Sequence, residues 1–186
     1  VFDGTDSMAI EDELPEAQRK AIVKATGLKE IAPKPEPEAK AVPSKADPAA
    51  VSTGQPTRLD YIKALLNKND NVLAKLQEGK KVQLEAFLFD GNTTSQLRKL
   101  TLNSSGSDRL DSKHLAEQLT TRGQVTALGS VVSEVGQQFG SGRLAGVVMF
   151  SDFAQNSGIA PLGNSENSPV SRLGVPIYAV GVGVTE

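Results

Sequence analysis

The chain has 186 residues, no Cys, no Trp and a single His, and 20 Lys and Arg against 22 Asp and Glu give a net charge of −2. That length suits one domain with a real core, the near-neutral charge gives no electrostatic footprint for nucleic acid, and the absence of cysteine removes disulfides, thiolate zinc sites and cysteine nucleophiles. No apolar run approaches membrane-spanning length and no signal peptide is read, so no direct membrane insertion is expected of this segment.

In chain order, Val1-Phe2 reads as a buried strand tip that runs into the loop Asp3-Gly4-Thr5-Asp6-Ser7-Met8. Residues 11–22 could open a helix. Residues 29–56 are rich in Pro, Ala, Lys and Glu, and Pro33, Pro35, Pro37, Pro43, Pro48 and Pro56 interrupt helices and central strands. The stretch from about 14 to 56 is therefore expected to be a disordered insertion within one domain spanning 1–186.

Order is expected again near Thr57. Leu59, Ile62, Leu65, Leu66, Val72, Leu73 and Leu76 recur near helical spacing, with a break at Lys68-Asn69-Asp70-Asn71 and a stop at Gly79. Residues 81–90 read as a strand buried at its C-terminal half, 90–95 as a turn, 97–102 as a short edge strand and 104–107 as a flexible loop. Residues 111–119 suit a short helix, with His114 solvated at its start.

Leu128, Val131, Val132, Val135 and Phe139 form one helical stripe after Thr126. The apolar run 144–150 leads into Ser151-Asp152, an Asn- and Ser-rich loop at 154–168 reads as either a lining for a partner surface or a mobile loop, and a last strand covers 176–182. Continuous apolar strands belong to parallel sheets covered on both faces. The order of elements predicts an α/β fold with a mainly parallel central sheet, an antiparallel edge strand and helices on both faces.

In such sheets ligands bind at the carboxyl ends of the strands. Asp3 and Asp152 both end strands there. With the nearby hydroxyls they would form an oxygen-rich pocket for a hard cation.

The motifs at these ends carry a resemblance. Asp3-Gly4-Thr5-Asp6-Ser7 resembles the Asp-x-Ser-x-Ser motif that opens von Willebrand factor type A domains, with Thr5 in place of the first Ser. Thr126-Ala127-Leu128-Gly129 resembles the family's threonine loop. Val147-Val148-Met149-Phe150-Ser151-Asp152 resembles the strand that ends in Ser-Asp-Gly, and Val175-Pro176-Ile177-Tyr178-Ala179-Val180-Gly181-Val182-Gly183 resembles the strand that follows. Together they cover residues 1–8 and 57–186.

The resemblance implies a Rossmann-like three-layer fold and a metal-ion-dependent adhesion site. Its ligands would be Asp3, Thr5, Ser7, Thr126 and Asp152, holding Mg²⁺ (or Mn²⁺ or Ca²⁺). A protein partner would offer an acidic side chain to complete the coordination. Thr126 is expected to sit at a helix N-cap. The wording of the motifs resembles that of domains excised from membrane-anchored bacterial proteins. Phe153 stands where the family has Gly and is expected to cover or reshape the metal's rim.

The reading is thus a binding module and not an enzyme, with a metal-free type A scaffold as its alternative. Phe2-Asp3-Gly4-Thr5 also resembles, faintly, the nucleophile motif of haloacid-dehalogenase-like phosphatases. That chemistry needs an Asp two positions before Asp3, where Val1 stands. No Gly-x-Ser-x-Gly elbow accompanies His114, and Gly181-Val182-Gly183 lacks the continuation a dinucleotide loop requires.

Overall fold

A computed structural model describes residues 1–28, 55–68, 72–80, 82–91, 96–104, 110–140, 144–163 and 167–183. Five strands form one sheet in the order β3-β2-β1-β4-β5. They are β1 (Phe2–Asp3), β2 (Ala86–Asp90), β3 (Gln96–Leu100), β4 (Val147–Ser151) and β5 (Ile177–Gly181). β1 runs parallel to β2 and β4, and β4 parallel to β5. β3 alone is antiparallel, with Leu88 facing Arg98. The chain is a Rossmann-like α/β fold, as the pattern of apolar runs predicted.

Alternation along the strands sorts the core into two layers. Phe2, Leu88 and Phe150 point to one face, where they meet Leu59, Ile62 and Leu66 of α2 (Arg58–Asn67) and Leu115 and Ala116 of α4 (Ser112–Glu117). Phe2 and Phe150 stack there with ring centroids 4.9 Å apart. Phe89 and Met149 point to the other face, against Leu128, Val131 and Val132 of α5 (Leu128–Phe139). Each side chain buried in that stripe contributes about 1.5–3 kcal/mol. α6 (Pro169–Leu173) packs on α5, so helices cover both faces of the sheet.

Several boundaries differ from expectation. The strand expected at 81–90 starts at Ala86, because residues 82–85 have no partner strand to extend the ladder. α3 (Val72–Lys80) runs through Gly79, which does not end it. The stretch expected to be disordered from about residue 14 opens with an ordered helix, α1 (Glu16–Thr26), closed by Gly27 at φ 74°. α1 rests on α2, and Lys68 Nζ donates to the carbonyls of Lys24 and Ala25 at 3.3 and 2.9 Å. The Pro-rich remainder from 29 to 54, the turn at 92–95 and most of the 104–107 loop lie outside the described residues. His114 is not free: its Nε2 meets Thr101 Oγ1 at 2.8 Å. Among the described residues no helix is long and apolar enough to cross a membrane.

Asp111 caps α4. Its Oδ1 accepts the backbone N–H groups of Lys113 and His114, both at 3.1 Å. These bonds, the one from His114 foremost, hold its carboxyl below the ordinary value. A carboxylate lowered in the folded state stabilises above its unfolded pKa and loses that effect as pH falls through the folded one. Urea midpoints of the protein and of Asp111→Ala should therefore differ at pH 7 and converge below about pH 4. An unchanged gap at low pH would mean that the neutral acid caps equally well.

Candidate metal centre

The C-terminal edge of the sheet collects the chemistry. β1 ends on Asp3, and glycine follows because position 4 lies under Leu88 and the Thr120 carbonyl, where a Cβ would come within 2.9 and 2.8 Å. The Gly4 carbonyl accepts the N–H groups of Arg122 and Gly123, both at 2.9 Å, and so ties the first loop to the segment that carries Thr126. Thr5 then pairs with Gly123 as an isolated bridge, and a 3-10 turn (Asp6–Ala9) brings Ser7 round and buries Met8.

Four of the five expected residues converge. Thr5 Oγ1 donates to Asp3 Oδ1 at 2.7 Å and lies 3.0 Å from Ser7 Oγ. Thr126 Oγ1 donates to Thr5 Oγ1 at 3.2 Å, across 121 positions of sequence. The Thr5 N–H also binds Asp3 Oδ1, and Ser151 Oγ donates to Asp3 Oδ2. Asp3, Thr5 and Thr126 are 0, 1 and 1% exposed.

Asp3 is thus a carboxylate with no contact to water. Among the described residues no basic side chain pairs with it. Burial pushes its carboxyl above the ordinary value; hydrogen bonds from Ser151 and Thr5 pull the other way, and the charge of Asp152 adds to the push. An isolated buried charge is costly unless it is paired or coordinates a metal.

Asp152, the fifth residue, makes no hydrogen bond to the other four, although its charge acts on Asp3. Its Oδ1 accepts the Ala154 N–H at 3.0 Å, and its Oδ2 accepts from Arg58 Nη1 at 2.7 Å. Arg58 Nε and Nη2 grip both oxygens of Asp12 at 2.9 and 2.7 Å. Hydrogen bonding to Asp12, ahead of the pull of both carboxylates, raises the guanidinium pKa and keeps it charged. Arg58 and Asp12 are site residues that the motifs did not expose. The acids at 11–13 read as a helix start, and nothing local links Asp12 to an arginine 46 positions on.

The threonine loop also departs from expectation. The N-cap of α5 is Ala127, with no side-chain cap, and not Thr126. Thr126 spends its hydroxyl on Thr5. Its backbone is held by Asn156, whose Oδ1 accepts the Thr126 N–H at 2.9 Å and whose N–H donates to the Thr126 carbonyl at 3.1 Å. Asn156 Nδ2 also reaches the Gln124 carbonyl at 2.8 Å. The Asn-rich loop is therefore stitched to the site over this stretch. It lies so close to α5 that a Cβ on Gly129 would stand 2.1 Å from the Ile159 carbonyl. Residues 164–166 of the same loop lie outside the described residues.

The residues present fit a hard divalent cation. Their donors are oxygens only: two carboxylates and three hydroxyls, the ligand type that such a cation takes. Among the described residues no three His, Cys, Asp or Glu side chains gather, so the set depends on hydroxyls. A cavity of about 720 Å³, lined in part by Ala86, Leu144 and Val147, opens at the opposite edge of the sheet and takes no part. Comparisons of the chain with protein-family models, with characterised proteins and with solved structures return no match.

Phe153 packs toward the core. Its backbone adopts φ 58°, the left-handed region where glycine is at ease, and its half-buried ring packs with the core of Phe89, Leu128 and Met149. Phe153→Gly would relieve about 1–2 kcal/mol of backbone strain and forfeit about 2–3 kcal/mol of aromatic packing. A net loss of about 1 kcal/mol is expected in chemical denaturation. A gain in stability would show that strain outweighs packing here.

Proposed function

We propose that this chain is a von Willebrand factor type A domain whose C-terminal sheet edge holds a divalent cation, Mg²⁺ first, and uses it to bind a protein partner. The observation that carries the reading is Asp3, a fully buried carboxylate without a cationic partner among the described residues, beside the hydroxyls of Thr5, Ser7 and Thr126. Asp3 and the three hydroxyls would hold the ion, and Asp152 would join directly or through water. The ion supplies a Lewis-acidic position for an oxygen ligand. With few anionic ligands of its own it stays receptive to a carboxylate from outside.

The surroundings favour a protein over a small metabolite. Ile10, just after the Ser7 turn, is 46% exposed, and Ile159 and Leu162, on the loop after Asp152, are 63 and 74% exposed. They stand on the loops that carry the site residues and offer apolar contact beside a polar centre.

A second reading has an observation of its own. The Arg58 to Asp152 ion pair already gives one of the two carboxylates a cation. That favours a metal-free type A scaffold, in which the hydroxyl network and this pair hold the loops together.

Calorimetric titration with Mg²⁺ and Mn²⁺ separates the two. The metal reading expects saturable binding that Asp152→Ala abolishes while circular dichroism stays unchanged. No saturable binding by the unaltered chain, or unchanged affinity in Asp152→Ala, would leave the scaffold reading standing.

A further inference from the structure

We infer that Arg58 is a built-in counter-cation: it competes with the divalent ion for Asp152, and the chain Asp12–Arg58–Asp152 thereby sets the affinity of the site. The inference rests on the metal reading above. Arg58 is a positioning residue in it, since it touches a ligand and not the ion.

Geometry carries the argument. The Arg58 side chain is 13% exposed, and the side chains of Asp12 and Asp152 are 6 and 4% exposed. Bidentate contact with Asp12 fixes the plane of the fork, and the remaining nitrogen, Nη1, reaches Asp152 Oδ2 at 2.7 Å and the Ser7 carbonyl at 3.4 Å. Both oxygens of Asp152 are thus engaged, one by Arg58 and one by Ala154. An ion that draws on Asp152 must share it with the guanidinium or displace it.

The placement also breaks a local rule. Arg58 is the first residue of α2, where the positive end of the helix dipole disfavours a cation. The capping box of Thr57 and Asp60 serves that helix start without it. Gly183, at φ 114°, leaves space for the group: a Cβ there would stand 2.8 Å from Arg58 Nε. A residue set against local preference and given room by a distant glycine answers to a site rather than to its helix.

Two effects of removing Arg58 oppose each other. Asp152 loses an anchor, which disfavours metal binding. The pocket also loses a unit positive charge beside a dication and leaves two carboxylates uncompensated, which favours it. At such short range and low exposure the charge effect is the larger. Removing Asp12 acts with the opposite sign, because Arg58 then belongs to Asp152 alone.

The test titrates Mg²⁺ into the full chain and its variants by calorimetry, with thermal unfolding recorded in chelator and in excess Mg²⁺. Arg58→Gln should bind about tenfold more tightly and gain a larger thermal shift from Mg²⁺ than the unaltered chain. Asp12→Asn should bind several-fold more weakly, and Arg58→Lys should stay near the starting affinity. Weaker binding in both Arg58→Gln and Asp12→Asn would make Arg58 a plain structural strut and overturn the inference, as would equal affinities. Were Arg58→Gln to unfold in chelator, Asp12→Asn alone would still decide, since unchanged or tighter binding there contradicts the competition. Binding by the unaltered chain with no such opposition defeats this inference alone. No binding by any of them defeats it together with the metal reading.

Discussion

The constraint on which this edge of the molecule depends is the burial of a carboxylate at the end of its shortest strand. β1 is two residues long and lies between two parallel neighbours, so Asp3 has no path to solvent. The charge has to be met from within. Every nearby donor is turned to it or to its neighbours: the Thr5 N–H and hydroxyl on one oxygen, Ser151 on the other, and Thr126 behind Thr5. Neutral donors moderate the cost but do not cancel it, and the carboxyl stays above its ordinary pKa. The loop geometry around Gly4, Gly123 and Asn156 serves this one end by bringing oxygen atoms from three segments together.

The second charge centre has a different logic. Asp152 is met by a full cation, but one delivered from far away in sequence and tied down by a third residue. Asp12 precedes α1 and Arg58 opens α2, so their ion pair also closes the base of the long stretch between them. Closing such a stretch costs entropy that grows only slowly with its length. The two anchors thus hold both ends of that stretch at the site. The same contact secures the fold locally and adds charge beside Asp152.

Much of the fold was legible because burial leaves a period in the sequence. The stripe of Leu128, Val131, Val132 and Val135 and the run from Val147 to Phe150 each name one environment, and both are found in it. Boundaries were less legible: β2 starts at Ala86, opposite the last residue of β3, and propensity at Lys81 carries no knowledge of that partner. Asp3 and Asp152 could be picked out because strand ends on one edge meet by topology, whereas Thr5, Ser7 and Thr126 were named only through the resemblance of their motifs to those of type A domains. Arg58 and Asp12 could be picked out by neither route, because an ion pair across 46 residues has no period and no motif. Asn156 was hidden for a related reason. An asparagine in a polar loop looks the same whether it faces water or brackets a backbone.

Positions 153 and 183 show what a departure from a pattern means physically. At Gly183 the backbone is left-handed, at φ 114°, and the space beyond it is filled by the Arg58 guanidinium. Any side chain there pays in strain and in collision, so only glycine fits. At position 153 the backbone is also left-handed, at φ 58°, but the direction of the side chain leads into the apolar layer under β4 and α5. There the only charge against a side chain is conformational, about 1–2 kcal/mol, and an aromatic ring offsets it by packing. The turn after Asp152 therefore forms with Phe at a left-handed position. What the site demands at 153 is a dihedral angle, and at 183 a dihedral angle together with an empty volume.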